Sequence, residues 1–277
     1  MIRALKTLAT CLLAAIAGVA SSPLAAAQTP YPTTSQFSIT RAEREVLVFH
    51  NDLLQGPTEA QPYFNTFARF DSATPAHTHL GPVYNRVHVV RGTSATRARL
   101  VSKLREITSQ PTTKAVDLIF ITHELGKSYV AFADQRAHIM TVRSDLKDGL
   151  TYEQRSKLRL VYSTNSWGSI NAIHWLDAGF KTTCCPLQIC ADTATSYEPF
   201  LRAWASGFAL DTAISRANDA DPLLLRDSAA KALLRSYNYS TMANLLFAWT
   251  EVDSTLRPFE YNADAVRLTI HRMIHFR

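Results

Sequence analysis

Residues 115–122 read AVDLIFIT, and His123 follows them directly. After Asp117 this run has no polar alternation, which predicts a strand buried on both faces, as in a parallel sheet covered by helices on either side. Upstream, Glu45–Phe49 (EVLVF) is a short apolar run closed by Asn51 and Asp52, and Tyr84–Val90 (YNRVHVV) is a second run closed by Gly92. Between that strand and AVDLIFIT, Ser94 is expected to cap a helix. Its apolar side is Leu100, Val101, Leu104 and Ile107, with Arg97, Arg99, Lys103 and Arg105 elsewhere, a period of 3.6 residues. Pro111–Thr113 breaks it.

Downstream, Ser128–Ala133 is expected to be a small strand or hairpin arm, Ser144–Ser156 a mostly polar helix and Leu158–Ser163 (LRLVYS) the next strand. A helix over Ser169–Ala178, stopped by Gly179, leads to an extended segment at Phe180–Cys185. Ser196 can cap a further helix with Pro199 in its first turn, placing Tyr197, Leu201, Trp204 and Phe208 on one face. Pro62–Phe70 is a possible helix and Pro75–Pro82 a loop. Strands alternating with helices predict an α/β fold: a three-layer sandwich with a mainly parallel sheet, followed by C-terminal helices.

The chain has 277 residues, 47% hydrophobic and 19% charged, with 9 Gly and 12 Pro, which excludes collagen, disorder and coiled coil. Its net charge of +6 comes from singly scattered Lys and Arg, so no nucleic-acid partner is expected. Arg3 and Lys6, the apolar run Leu8–Ala20 and the small residues Ala25, Ala26 and Ala27 have the pattern of a secretory signal peptide over residues 1–27. No other stretch is long and apolar enough for a membrane span. The predicted organisation is a flexible lead-in over 28–42, an α/β domain over 43–220 and a helical extension over 221–277 packed on it, in an exported protein of periplasmic or secreted type.

Cys184, Cys185 and Cys190 would remain after signal removal, and an oxidising compartment would allow Cys190 to pair with one of the adjacent two. A zinc site would need a fourth ligand and a Cys-x-x-Cys pair, which is absent. His77, His79 and His88 have no carboxylate motif around them, and HELGK at His123 lacks the second His of a zincin. His271 and His275, four apart, suit a terminal helix. No metal and no cofactor is expected.

Ligand sites of parallel sheets lie at the carboxyl ends of the strands. His123 follows one strand end, and Ser166, within TNSWG at Thr164–Gly168, follows another. A hydrophobic strand ending in His, then 43 residues on a second strand ending in a nucleophile followed by x-Gly, resembles the caspase-like cysteine peptidases, whose local signature is Q-A-C-x-G. GTSAT at Gly92–Thr96 is similar to the Gly-x-x-Ala-Thr turn of their bacterial CHAT-type members, and WLDAGF at Trp175–Phe180 to the helix and Ala-Gly that follow the nucleophile. The resemblance covers roughly residues 45–218. It implies a caspase-like sheet with His123 and Ser166 in the dyad positions and Gly126 and Gly168 as oxyanion or site-shaping residues.

Two departures shape the functional expectation. The family's His-Gly is replaced by His123-Glu124, with Gly only at 126, and the nucleophile is Ser instead of Cys. A thiol is partly ionised at neutral pH and a hydroxyl is not. The expected function is therefore a degenerate peptidase homologue that binds a peptide or protein, the alternative being an active serine hydrolase using Ser166 and His123. The G-x-S-x-G elbow does not fit, because Thr164 occupies its first Gly position.

Overall fold

All seven residues of Ala115–Ile121 are buried, and the fold is the arrangement that covers them on both sides. The computed structural model describes residues 37–53, 69–123, 128–165, 168–186, 193–220, 249–252 and 260–261. Its elements begin with β1 (Phe37–Ser38), β2 (Arg44–His50), α1 (Ala73–Leu80), β3 (Arg86–Arg91), α2 (Arg97–Thr108) and β4 (Ala115–Ile121). A hairpin of β5 (Tyr129–Ala131) and β6 (Arg136–His138) leads to α3 (Ile139–Gly149), α4 (Tyr152–Ser156) and β7 (Leu158–Ser163). The chain continues with α5 (Gly168–Asp177), β8 (Thr182–Pro186), α6 (Thr193–Ala205), α7 (Leu210–Asn218), β9 (Trp249–Val252) and β10 (Glu260–Tyr261).

The main sheet has the order β3-β2-β4-β7-β8-β9. The first five strands are parallel and β9 is antiparallel to β8. Period-two alternation sends successive side chains into two separate cores. Leu47, Phe49, Leu118 and Phe120 pack with Leu104 of α2, Leu146 of α3 and Trp175 of α5. Val46, Val48, Ile119 and Ile121 pack with Leu80 of α1, Phe200 and Trp204 of α6 and Ile214 of α7. This is the three-layer α/β sandwich with a mainly parallel sheet.

A buried polar cluster interrupts the second core. Arg159 reaches Asp117 through Nε at 2.7 Å and Nη2 at 2.5 Å, and Nη2 also donates to the Tyr84 hydroxyl at 3.2 Å. That hydroxyl donates to Asp117 and accepts from Trp204 Nε1 at 2.8 Å. Burial and the adjacent Asp117 carboxylate push the Tyr84 phenol well above its ordinary value. Desolvation opposes the charge on Arg159, and the Asp117 carboxylate, with the hydrogen bond to the neutral Tyr84 hydroxyl, holds the guanidinium protonated.

Several boundaries differ from the sequence expectation, each for a local reason. Residues 75–82 are not a loop, because Ala73–Leu80 forms α1. Pro75 falls in the first turn, where no N–H is needed, and Asp71 Oδ1 accepts from the amides of Ala73 and Thr74 at 3.0 and 3.3 Å. Ser94 lies in a single 3-10 turn, and the cap of α2 is Thr96, whose side chain accepts from Arg99 N at 3.1 Å. The helix expected over Ser144–Ser156 is two helices, since Thr151 starts α4 with a capping box to Gln154. α6 begins at Thr193, before Ser196, so Pro199 sits inside it and not in its first turn.

The ends of the domain also differ. Within the expected lead-in, Phe37–Ser38 pairs with Glu260–Tyr261, Ile39 is buried and Arg41 Nε donates to Tyr84 O at 3.0 Å. In the segment expected to be helical beyond residue 221, Trp249–Val252 and Glu260–Tyr261 are strands, and β9 closes the main sheet. The expected signal peptide, most of the Pro62–Phe70 segment and His271 and His275 lie outside the described residues. No helix among the described residues is long and apolar enough to cross a membrane.

Candidate functional site

The chain leaves β2 towards α1 on one face of the sheet and leaves β4 towards the hairpin and α3 on the other. The carboxyl ends of β2 and β4 therefore flank the point where the connections diverge, which is where open α/β sheets form a crevice. His50 ends β2, and His123 stands two residues beyond Ile121, its register partner. Asn51 extends the pairing by donating its amide to Ile121 O at 2.9 Å.

The hairpin fixes the backbone at this edge. Ala131 N donates to His123 O at 2.8 Å, and Asn51 Nδ2 donates to Ala131 O at 2.9 Å. On the other side of β4, Thr122 Oγ1 donates to Asn165 Oδ1 at 2.5 Å, and Thr164 N donates to Phe120 O at 3.0 Å. Phe120 pairs in register with Ser163, so position 123 comes three residues after one partner and position 166 three residues after the other. Ser166, Trp167 and Gly126 lie outside the described residues.

Gly168 is held by packing. A Cβ at this position would come within 2.6 Å of Cys185 Cβ, so only glycine lets α5 lie this close to β8. Its amide donates to Asn165 O at 3.0 Å. Gly168→Ala is expected to cost about 1–3 kcal/mol through this overlap, read as a lower urea midpoint with unchanged slope.

Two imidazoles face this edge. His50 is fully buried, its Nδ1 lies 2.7 Å from Ser72 Oγ, and its Nε2 has no partner among the described residues. Desolvation lowers its pKa to about 4, and the neighbouring Arg91 and His123 charges act in the same direction, while Asp52 and Asp71 oppose them. His123 is half-buried, and desolvation of its imidazole lowers it to about 4 as well. Both rings are neutral at pH 7. Arg91 at the end of β3 pairs with Asp52 at 2.7 Å, which closes the rim beside His50.

The other histidines serve elsewhere. His77 and His79 lie in the last turn of α1, with His79 Nε2 3.1 Å from Glu198 Oε1, and His88 Nε2 lies 3.0 Å from Glu45 Oε2 on the neighbouring strand. Among the described residues no three His, Cys, Asp or Glu side chains are grouped to hold a metal ion. Cys184 and Cys185, adjacent on β8, are both buried and join different clusters, Cys184 with Tyr162 and Cys185 with Ala172, while Cys190 lies outside the described residues. A concavity of about 450 Å3 lined by Thr113, Lys114, Glu153 and Lys157 opens at the amino ends of β4 and β7, the edge away from His123.

Sequence reasoning singled out His123 and Ser166 but passed over His50 and Asn171. His50 carries the same signal that marked His123: a polar, titratable residue directly after an apolar run, in VLVFH. Asn171 left no signal, because its burial depends on how α5 packs. No protein-family model matches the chain, and no curated protein aligns significantly with it.

Proposed function

We propose that the chain is an exported caspase-like domain that binds an extended peptide or protein segment at the carboxyl edge of its sheet, with little or no peptidase turnover. The reading begins from the caspase-like sequence pattern and from the adjacency of β4 and β7, which carry His123 and the segment leading to Ser166. The observation that carries the loss of turnover is the state of His123. An imidazole held near 4 by desolvation is a weak proton acceptor, and a serine hydroxyl needs a stronger one than a thiol does.

The expected result is that a fluorophosphonate serine probe leaves the intact mass of the mature protein unchanged, while His123→Ala weakens binding of capped extended peptides measured by fluorescence anisotropy. The equal offset of positions 123 and 166 from a register pair favours a second reading, an active serine hydrolase with Ser166 as nucleophile and His123 as base. Labelling of the wild type that disappears in both Ser166→Ala and His123→Ala would replace the first reading with this one. Turnover gained by Ser166→Cys alone would place the loss in the nucleophile and nowhere else.

A further inference from the structure

α3 and α5 lie side by side on one face of the sheet, tied by Asp177, whose carboxylate takes Arg143 Nη1 at 3.2 Å and Lys147 Nζ at 3.1 Å. Each helix leads to the next parallel strand, so the two run in the same direction with their first turns at the carboxyl edge. About one turn before the Asp177 bridge stand Met140 on α3 and Ile173 on α5. The hairpin meets them there. Ile139 N donates to Ser128 O at 2.8 Å, His138 Nδ1 accepts from Met140 N at 3.2 Å, and the Tyr129 ring meets the His138 ring edge-on with centroids 5.1 Å apart. His174, next to Ile173, is lowered by desolvation first and then by the charges of Arg143 and His138, which agrees with the hairpin lying beside this turn of α5.

Tyr129, Met140 and Ile173 are three of the four large apolar side chains that stand exposed among the described residues, at 39%, 47% and 45%. Scattered singly such residues mean little, but three gathered at one corner of hairpin and helices form an apolar patch. Its rim is cationic. Arg136 lies over the Tyr129 ring with Cζ 5.4 Å from the centroid, is exposed and forms no ion pair among the described residues. Stacking uses the flat face of the guanidinium and leaves its N–H edge open to an acceptor. The carboxylates of the same elements do not supply one: Asp177 is held by Arg143 and Lys147, Asp145 by Arg97, Asp134 accepts from Arg97 N and Gln135 Nε2, and Asp148 lies two turns beyond Met140 along α3.

We infer that this corner docks an acidic segment of a partner protein, whose apolar side chains cover Tyr129, Met140 and Ile173 and whose carboxylate takes the open edge of Arg136. Apolar contact supplies the affinity and the cationic rim selects the partner. A second copy of this chain does not suit the surface, because a two-fold contact sets the patch against itself and brings its cations together. The surface uses neither His123 nor Ser166, and it goes beyond the peptide-binding reading of the carboxyl edge.

The test uses the full chain with 13C-methyl-labelled methionine and the capped peptide Glu-Glu-Leu-Gly-Leu-Glu-Glu, in which both Leu and the outermost Glu share one face when the peptide is extended. The Met140 methyl signal is the one missing from Met140→Leu. The peptide is expected to shift it, less so in added salt, while versions with Lys for Glu or Ser for Leu leave it nearly in place. Arg136→Glu and Ile173→Ser, both at exposed positions, are expected to bind the peptide about tenfold more weakly with unchanged Tm, and His123→Ala to bind it as the wild type does. No shift at millimolar peptide, or an equal shift with the Lys version, would overturn the assignment. Binding lost in His123→Ala but kept in Arg136→Glu would move the peptide to the carboxyl edge and overturn it too. A Met140 signal that moves on dilution of the protein alone, together with a dimer mass by light scattering, would give the patch to a second copy instead.

Discussion

Asp117→Ala is expected to cost about 3–5 kcal/mol of folding free energy, the largest loss of any single substitution considered. Arg159 is buried with 1% of its side chain exposed, and it cannot shed its proton. Removing the carboxylate takes away the counter-charge that both Nε and Nη2 bind, and leaves the guanidinium beside the Tyr84 hydroxyl and the Trp204 ring. For a domain of this size the loss corresponds to roughly 10 °C in Tm. The double variant Asp117→Leu with Arg159→Met removes both charges and is expected to recover most of the stability, because buried pairs and apolar replacements of similar volume are often nearly equivalent. Urea unfolding of the two proteins decides it. A double variant no more stable than Asp117→Ala would mean that the cluster fixes the packing of Trp204 on the sheet in a way apolar contact cannot replace.

Acidification from pH 6.5 towards 4 is expected to destabilise the protein through its buried histidines. His50 and His123 bind a proton in the unfolded chain near pH 6.5 and in the folded protein only near 4. Within that window the unfolded state holds more protons, so stability rises with pH, is complete above 6.5 and is lost progressively as pH falls to 4. For fully buried His50 the contribution is about 3 kcal/mol, at about 1.4 kcal/mol per pH unit. His88 and His174, also lowered by burial, act in the same sense. Asp71 and Glu198 are lowered from their ordinary carboxylate values, first of all by side-chain hydrogen bonds to Thr74 and His79. His50→Gln keeps a partner for Ser72 but cannot titrate. Urea midpoints for it and the wild type at pH 7.5 and 4.5 are expected to differ at the higher pH and converge at the lower. Parallel curves would remove His50 as the source of the acid sensitivity.

Much of the architecture was legible because it depends on local pattern. Leu158–Ser163 is a strand over the very residues the sequence marks, since an apolar run of that length between a polar helix and a turn has few other uses. The apolar side of α2 was legible for the same reason: Leu100, Leu104 and Ile107 are buried and Val101 half-buried, while the burial of Thr108 had no such signal. Helix ends were less so, as at Thr96, where two hydroxyl residues compete and the winner is the one whose side chain reaches the amide three residues on, Arg99 N. β9 was not legible at all. Trp249–Val252 becomes a strand by lying against β8, and no periodicity in four residues announces that.

At the site, sequence alone determined that an apolar strand leads directly to His123, that Asp117 stands at the start of an otherwise apolar run, and that the fold layers helices on a parallel sheet. Those follow from residue type and spacing, which act within a few residues of chain. Tertiary structure decided that β2 and β4 are neighbours, so the two histidines share one edge and are both held neutral by desolvation. It also decided that Asp117 meets Arg159, 42 residues away, and that the Asn171 carboxamide is buried with no hydrogen-bond partner among the described residues. Burial and long-range pairing belong to the packed chain, because desolvation and hydrogen bonding depend on what surrounds a group and the sequence lists only what is bonded to it.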